Sequence, residues 1–478
     1  MRRFFRLTFF TLFGKVLSIF ILAYIARKLS TDDIAYISIV PSLAILMTST
    51  FSFGVNTLLE KDVPKLMVSD THKAFGLLRK GMLVNLGAIV LVALCFIFYS
   101  DFIGRVIFKS QSSENDFGYL IFPLLGYMAI NALSLPFQLT GKVDVFGFYR
   151  IYSDMLSKLC AIGFYTMQIS AQPVLNGLLI GQLPFVLAAL FKHRAWLFNL
   201  NHCTTPVWLK WSWGFYLESI VNAVRVWGDT LLISSLFGSE PLANYYVVKR
   251  IADQINVLYQ PFVTTLVPII SASYSSGMEN LRQKFRVCWV ATIPLFIAIA
   301  ACFSTLSPFL IKMIAGTAYM GSLLLAVVLI WGVYGLVLYS ISSRILLIIG
   351  DSMARFKIAL FQVVSTLLCI GILIDYGALG LGASWLAGSA IAVVGVIVKA
   401  RHYGFIWPSL YPATLMNVMA ACWSCYAVLV LHNVNSEMDY LILAVAGNLA
   451  LITIFIITTY SVDRDVCDEL RRKISKRC

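Results

Sequence analysis

SLLLAVVLIWGVYGLVLYSISSRILLII, residues 322–349, carries a single charged side chain, Arg344, in an otherwise apolar and small-residue run. A helix needs about 20 apolar residues to cross a hydrocarbon core, and this run exceeds that. It lacks the strict alternation of a barrel strand. Lipid leaves only helices and closed barrels as ways to satisfy the backbone, so the run reads as a transmembrane helix. The rest of the 478 residues repeats the pattern: 59% are hydrophobic and 13% are charged. A soluble domain carries about 25% charge and cannot bury so much apolar surface in its own core.

Comparable windows lie near 4–26, 34–59, 81–100, 117–140, 151–170, 174–191, 212–237, 244–272, 287–308, 356–374, 379–398, 410–430 and 439–460. The expectation is therefore an all-α polytopic membrane protein with about fourteen transmembrane helices. With the N-terminus in the cytoplasm, 26 of the 37 Lys and Arg fall in cytoplasmic segments and 5 on the opposite side. That is the asymmetry of the positive-inside rule, and it supports two cytoplasmic ends. It also accounts for the net charge of +14 without nucleic acid. The first window, with its basic start, reads as a retained helix rather than a cleaved signal. The longest expected loops, 60–80 and 192–211, are too short for a catalytic domain. Cys422 and Cys425 spell CxxC inside ACWSCYAVLV, where helix packing is a better account than redox or zinc chemistry.

A faint parallel repeat relates the first and seventh windows. Each ends in an acidic polar turn, LSTDD at 29–33 and FGSEP at 237–241, followed by Tyr36 or Tyr245. The expected organisation is an N-terminal lobe over residues 1–200, a second six-helix lobe over 201–408, and two added helices with a basic tail over 409–478.

Ionisable groups at membrane depth mark a cavity, a partner or a helix end. Lys15 and Arg225 sit near the middles of the first and seventh windows. Glu218, Arg225 and Asp229 share one face by spacing. They read either as a polar stripe lining a cavity, with Arg225 offered to an anionic ligand, or as an internal ion pair between helices. Lys249 and Asp253 are four apart in the eighth window, and Arg250 points away from Lys249; each could line a cavity or pair between helices. Arg344 reads as a snorkelling or cavity cation. Asp154 and Lys158 read as a satisfied local pair. Asn56, Glu60, Lys61 and Asp62 are expected to close the second window at the membrane rim. Asn85 and Gln362 could bond between helices or to a sugar. Aromatic rings are common throughout, Tyr24, Tyr36 and Phe53 among them; most should face lipid or anchor at the interface, and some could stack on sugar rings.

Three stretches carry a family resemblance: FGKVLSIFILAYIARKLSTDDIAYISIV at 13–40, SFGVNTLLEKDVPK at 52–65, and GDTLLISSLFGSEPLANYYVVKRIADQINVLYQPFVTTLVPIIS at 228–271. The chain resembles the polysaccharide transport branch of the multidrug/oligosaccharidyl-lipid/polysaccharide (MOP) exporters, above all Wzx-type flippases of lipid-linked oligosaccharides. The resemblance implies two six-helix lobes in a V. It implies transfer of an undecaprenyl-pyrophosphate-linked, O-antigen-like glycan from the cytoplasmic to the outer leaflet of the bacterial inner membrane. By position, cargo binding would fall on Lys15, Arg225, Lys249, Arg250 and Arg344. Glu218, Asp229 and Asp253 would be available for Na⁺ or H⁺ coupling or for pairing. No cofactor is implied, and the expected unit is a monomer working beside a polysaccharide polymerase and a chain-length regulator. Two features set the chain apart. Many O-antigen flippases have twelve helices, whereas lipid II flippases have fourteen. The cationic set here is sparser than the arginine-rich cavity of lipid II flippases.

A cationic, hydrated passage offers substitute contacts to a pyrophosphate and a glycan, while the polyprenyl tail stays in lipid. No Walker A sequence is present, so ATP hydrolysis by this chain is not expected. The rival readings are a lipid II flippase, a cation-coupled multidrug exporter and a membrane-embedded glycan polymerase. An exporter should show more carboxylates than bases at mid-membrane. A polymerase usually needs a larger external loop.

Overall fold

Helices account for the regular structure of the described residues in the computed structural model. The structure describes residues 42–44, 46–107, 121–140, 143–167, 171–197, 208–256, 277–316, 322–405, 410–429 and 437–462, together with 24, 28, 39, 258, 259 and 270. The first window, apart from Tyr24, lies outside them. Each of the other windows contains helix.

The second window and the loop expected after it are corrected. The chain forms α1 (Ser42–Phe51), turns at Ser52–Gly54, and resumes as α2 (Val55–Ser69). Phe53 and Gly54 take φ values of 50° and 71°, a left-handed step that no continuous helix can contain. Residues 60–80 are not a loop: α2 runs to Ser69, and α3 (Thr71–Ile107) begins after Asp70. Asp70 accepts the Lys73 N–H at 3.1 Å and caps α3. Mean polarity hides α2, but its 3.6-residue period shows it. Val55, Leu59 and Val63 are buried against Ala74, Leu78, Leu135 and Leu139.

Next come α4 (Ile121–Leu139) and α5 (Val143–Gly147), which passes through a π-helical turn at Phe148–Tyr152 into α6 (Ser153–Met167). Then follow α7 (Ala171–Leu197), α8 (Trp208–Phe237) and α9 (Ser239–Ala252). The helical ends of α7 and α8 shorten the expected 192–211 loop. The FGSEP turn reduces to Gly238, at φ 90°, between α8 and α9. The remaining helices are α10 (Met278–Ala315), α11 (Leu323–Ile349), α12 (Ser352–Leu373), α13 (Gly377–His402), α14 (Leu410–Leu429) and α15 (Glu437–Val462).

Among the described residues, six stretches are long and apolar enough to cross a membrane, or seven if bent α8 is included. One of the six, Ser352–His402, holds two passes. Gly332 and Gly335 on α11 face Leu386 and Ser389 on α13, and Gly382 on α13 faces Leu325, Val328 and Leu329. A constant register offset means that α11 and α13 run parallel. Between them α12 must run back, reversing through a 3₁₀ turn at Ile374–Tyr376. The molecule is thus an all-α, multi-pass membrane protein.

The chain divides into two compact units, Met1–Tyr246 with Ala359–Val363, and Val247–Ile358 with Val364–Cys478. In the first unit α6 and α7 form an antiparallel pair at very close range. Gly177 lies over the backbone of Cys160 and Ala161, and Gly181 over that of Leu156 and Ser157. This GxxxG row against a small-residue row is how membrane helices gain packing without a hydrophobic driving force. The expected Lys158–Asp154 ion pair is present on α6.

In the second unit a buried polar network fastens α14 and α15 to α10. Asn448 on α15 donates to Thr305 Oγ1 at 2.7 Å and accepts from Trp423 Nε1 on α14 at 3.2 Å. The Tyr440 hydroxyl donates to the Thr305 carbonyl. A second polar cluster joins the ends of α10, α12 and α13. Arg282 donates to the Tyr403 carbonyl at 3.1 and 2.7 Å. The Tyr403 hydroxyl donates to Asp351 Oδ2 at 2.5 Å, Asp351 Oδ1 caps α12 through the Ala354 N–H at 2.9 Å, and Lys399 lies 3.5 Å from Asp351. Burial pushes the Asp351 carboxyl up. The Tyr403 hydroxyl, the Ala354 N–H and Lys399 together outweigh it and hold the group below the usual carboxylate range.

Candidate functional site

Glu218, Arg225 and Asp229 lie in the first unit, on α8. Lys15 lies outside the described residues. Arg225 lies within α8, and its side chain is also outside them. The helix bends by 46° between Tyr216–Val224 and Gly228–Phe237, so Arg225 sits at the bend and Asp229 just beyond it. The expected straight stripe of Glu218, Arg225 and Asp229 is therefore broken into two directions.

Local chemistry explains the bend. Gly228 weakens the helix at this point. Asp229 Oδ1 accepts the Thr230 N–H at 2.7 Å, competing with the carbonyl one turn back, and also the Thr230 hydroxyl at 3.2 Å. Asp229 Oδ2 accepts from the Tyr245 hydroxyl across the Gly238 turn. Asp229 is 1% exposed and Tyr245 is fully buried. Glu218 is buried as well, on the first limb of α8.

Lys249, Arg250, Asp253 and Arg344 lie in the second unit. Lys249 is buried, and its ammonium sits 5.5 Å from the centroid of the Trp385 ring on α13. A desolvated cation over an indole face is a favourable pairing. Arg250, on another side of α9, is half-buried, and its carbonyl accepts Gln254 Nε2 at 2.6 Å. Asp253 is half-buried, and its N–H closes the last turn on the Lys249 carbonyl at 2.8 Å. Arg344 is half-buried on α11. The structure thus gives Lys249 an aromatic companion that spacing does not reveal.

Two further pairings are invisible in the sequence. Tyr245 serves there only to align a repeat, and its role as a donor to Asp229 depends on the turn geometry at Gly238. Asn85 Nδ2 donates to Asn56 Oδ1 at 2.8 Å, joining α3 to α2. Each Asn stands out as a polar residue in an apolar window, but their pairing rests on the helical continuation of α2.

No protein-family model matches the sequence, and no curated protein matches it either. Solved structures do match. The chain is similar to lipid II flippase MurJ in an inward closed conformation, at 15% identity and a TM-score of 0.67, covering 97% of this chain and 100% of that one. The chain has a MATE/MurJ-like fold. It is also similar to an outward-facing multidrug resistance MATE family transporter of the MOP superfamily, at 13% identity and a TM-score of 0.66, over 84% of this chain and 95% of that one. A MATE in complex with MaL6 gives 12% identity, a TM-score of 0.65, and coverage of 84% and 96%. At these identities the likenesses show the fold alone.

Proposed function

We propose that this chain is an alternating-access transporter for a polyprenyl-pyrophosphate-linked saccharide, with lipid II-type cargo ahead of an O-antigen-type repeat unit. The observation that carries this order is coverage. The lipid II flippase accounts for 97% of the chain, whereas the MATE structures leave a share about the size of α14, α15 and the tail. Those two helices are built into the second unit by the Thr305–Asn448–Trp423 network, so they belong to the working fold.

The chemistry is consistent with an anionic cargo. Lys249 brings a buried cation, and Arg344 a half-buried guanidinium whose fork matches phosphate oxygens. Arg225 and Lys15 remain proposed for cargo binding. Asp229, held by Tyr245 and Thr230, and Glu218 and Asp253 are proposed for coupling or pairing. Both termini are proposed to be cytoplasmic, on the charge asymmetry of the sequence.

The test is reconstitution of the purified chain in vesicles with three labelled cargoes: lipid II, a lipid-linked O-antigen-type repeat unit, and a cationic dye. Transfer of lipid II above the other two is the expected outcome. Faster transfer of the repeat unit would reverse the order of substrates, and transport of the dye alone would establish the multidrug reading. In the same vesicles Lys249→Gln should slow saccharide–lipid transfer while the protein stays folded.

A further inference from the structure

The turn between α1 and α2 holds a strained residue that packing does not explain. Phe53 is the one non-glycine residue with positive φ among the described residues. A bulky side chain in the left-handed region is an outlier that needs a compensating cause. Burial does not supply it: Phe53 is 43% exposed, while Ser52 is buried and Val55, beyond the turn, is buried too.

Helix register gives the depth of this turn. Asn56 bonds to Asn85, and Leu59 lies against Gly81, so α2 and α3 are antiparallel and Phe53 is level with about residue 88 of α3. The uncharged run of α3 begins after Lys80. At 1.5 Å per residue, Phe53 lies roughly 12 Å inside that edge. Irregular backbone at such depth occurs where protein covers it or where it borders a watered space.

The exposed ring has company. Its centroid is 5.4 Å from that of Tyr216 on α8, with the planes tilted by 35°. Three residues along, Asn56 accepts from Asn85, which is 3% exposed. Asn85 Oδ1 is buried and has no hydrogen-bond partner among the described residues. A pyranose has an apolar C–H face and a rim of hydroxyl donors, and a pair of ring faces with an amide pair beginning three residues along the chain supplies groups of both kinds.

We infer that Phe53 and Tyr216, with the Asn56–Asn85 amide pair, form a saccharide-binding site in the first unit. This rests on the proposed saccharide–lipid cargo and names the part of the protein that reads its sugar. Strain at Phe53 then holds the ring out of the core, where a relaxed residue would let it fold inward.

The experiment measures binding rather than transport, so it stands apart from the flippase reading. Purified full-length chain in detergent is titrated with a polyprenyl-pyrophosphate disaccharide and with the same polyprenyl pyrophosphate lacking sugar. Phe53→Leu should weaken binding of the sugar-bearing lipid by about tenfold or more, the size of one lost aromatic stacking contact. Binding of the sugarless lipid should stay within about twofold of wild type. Phe53→Tyr should restore the preference for sugar. An unchanged melting temperature for Phe53→Leu would separate this from misfolding. Equal weakening for both lipids, no weakening at all, or a wild-type chain that binds both lipids alike would overturn the site. Vesicles that transfer no saccharide–lipid, alongside an intact sugar preference, would overturn the flippase reading alone.

Discussion

Gly181→Ala tests the closest helix contact in the first unit. A Cβ built at Gly181 falls 2.2 Å from Ser157 Cα and 2.4 Å from Ser157 N. Both are backbone atoms, so no side chain can rotate away. Ordinary contact begins near 3.4 Å, so α6 and α7 must part by a little over 1 Å. A gap of about 1 Å forfeits up to half of each dispersion contact along the seam. Overpacking of this kind costs about 1–3 kcal/mol. Against it stands the helix propensity of Ala, about 1 kcal/mol better than Gly. The two terms separate with a control on the partner helix. A Cβ added at Gly163 on α6 would meet nothing within 4 Å, so Gly163→Ala should show the propensity gain alone. Thermal aggregation of both purified variants, followed by size-exclusion chromatography, gives the comparison. Gly181→Ala should melt below wild type and Gly163→Ala at or above it. Equal melting of the two variants would refute the close-packed α6–α7 seam.

Tyr245→Phe removes a buried donor from Asp229 and should destabilise the α8–α9 hairpin by about 1–3 kcal/mol, read as a lower melting temperature at neutral pH. Asn448→Leu leaves Trp423 Nε1 and Thr305 Oγ1 without their shared partner; it should loosen α14 and α15 by about 0.6–2 kcal/mol, visible as faster protease cleavage near residues 430–436. The Asp351 cluster makes a pH prediction of definite sign. Because the folded carboxyl is held below its ordinary value of 3.8, its stabilisation is complete above that pH and fades as acid protonates the folded group. Tyr403 is raised above 10.0, first by its bond to Asp351, so its share holds below pH 10 and fades as pH climbs through the folded value. Melting temperatures of wild type and Asp351→Asn should therefore differ most between about pH 5 and 9 and converge in strong acid; a gap that widens below pH 4 would contradict the assignment.

The amino-acid sequence by itself determined that this chain is a helical membrane protein, because apolar runs of twenty or more residues have few other solutions. It also located the charges that lipid would exclude, including Lys249, Asp229 and Arg344. It failed where average polarity and periodicity disagree: α2 looks like a loop by composition, yet Val55, Leu59 and Val63 form a buried stripe. Only the tertiary structure decided which polar groups meet. Tyr245 reaches Asp229 because Gly238 turns the chain back, Lys249 reaches Trp385 across more than a hundred residues, and Asn448 reaches Thr305 between distant helices. Such pairings depend on which helix faces are brought together, and a one-dimensional pattern of hydrophobicity carries no term for that.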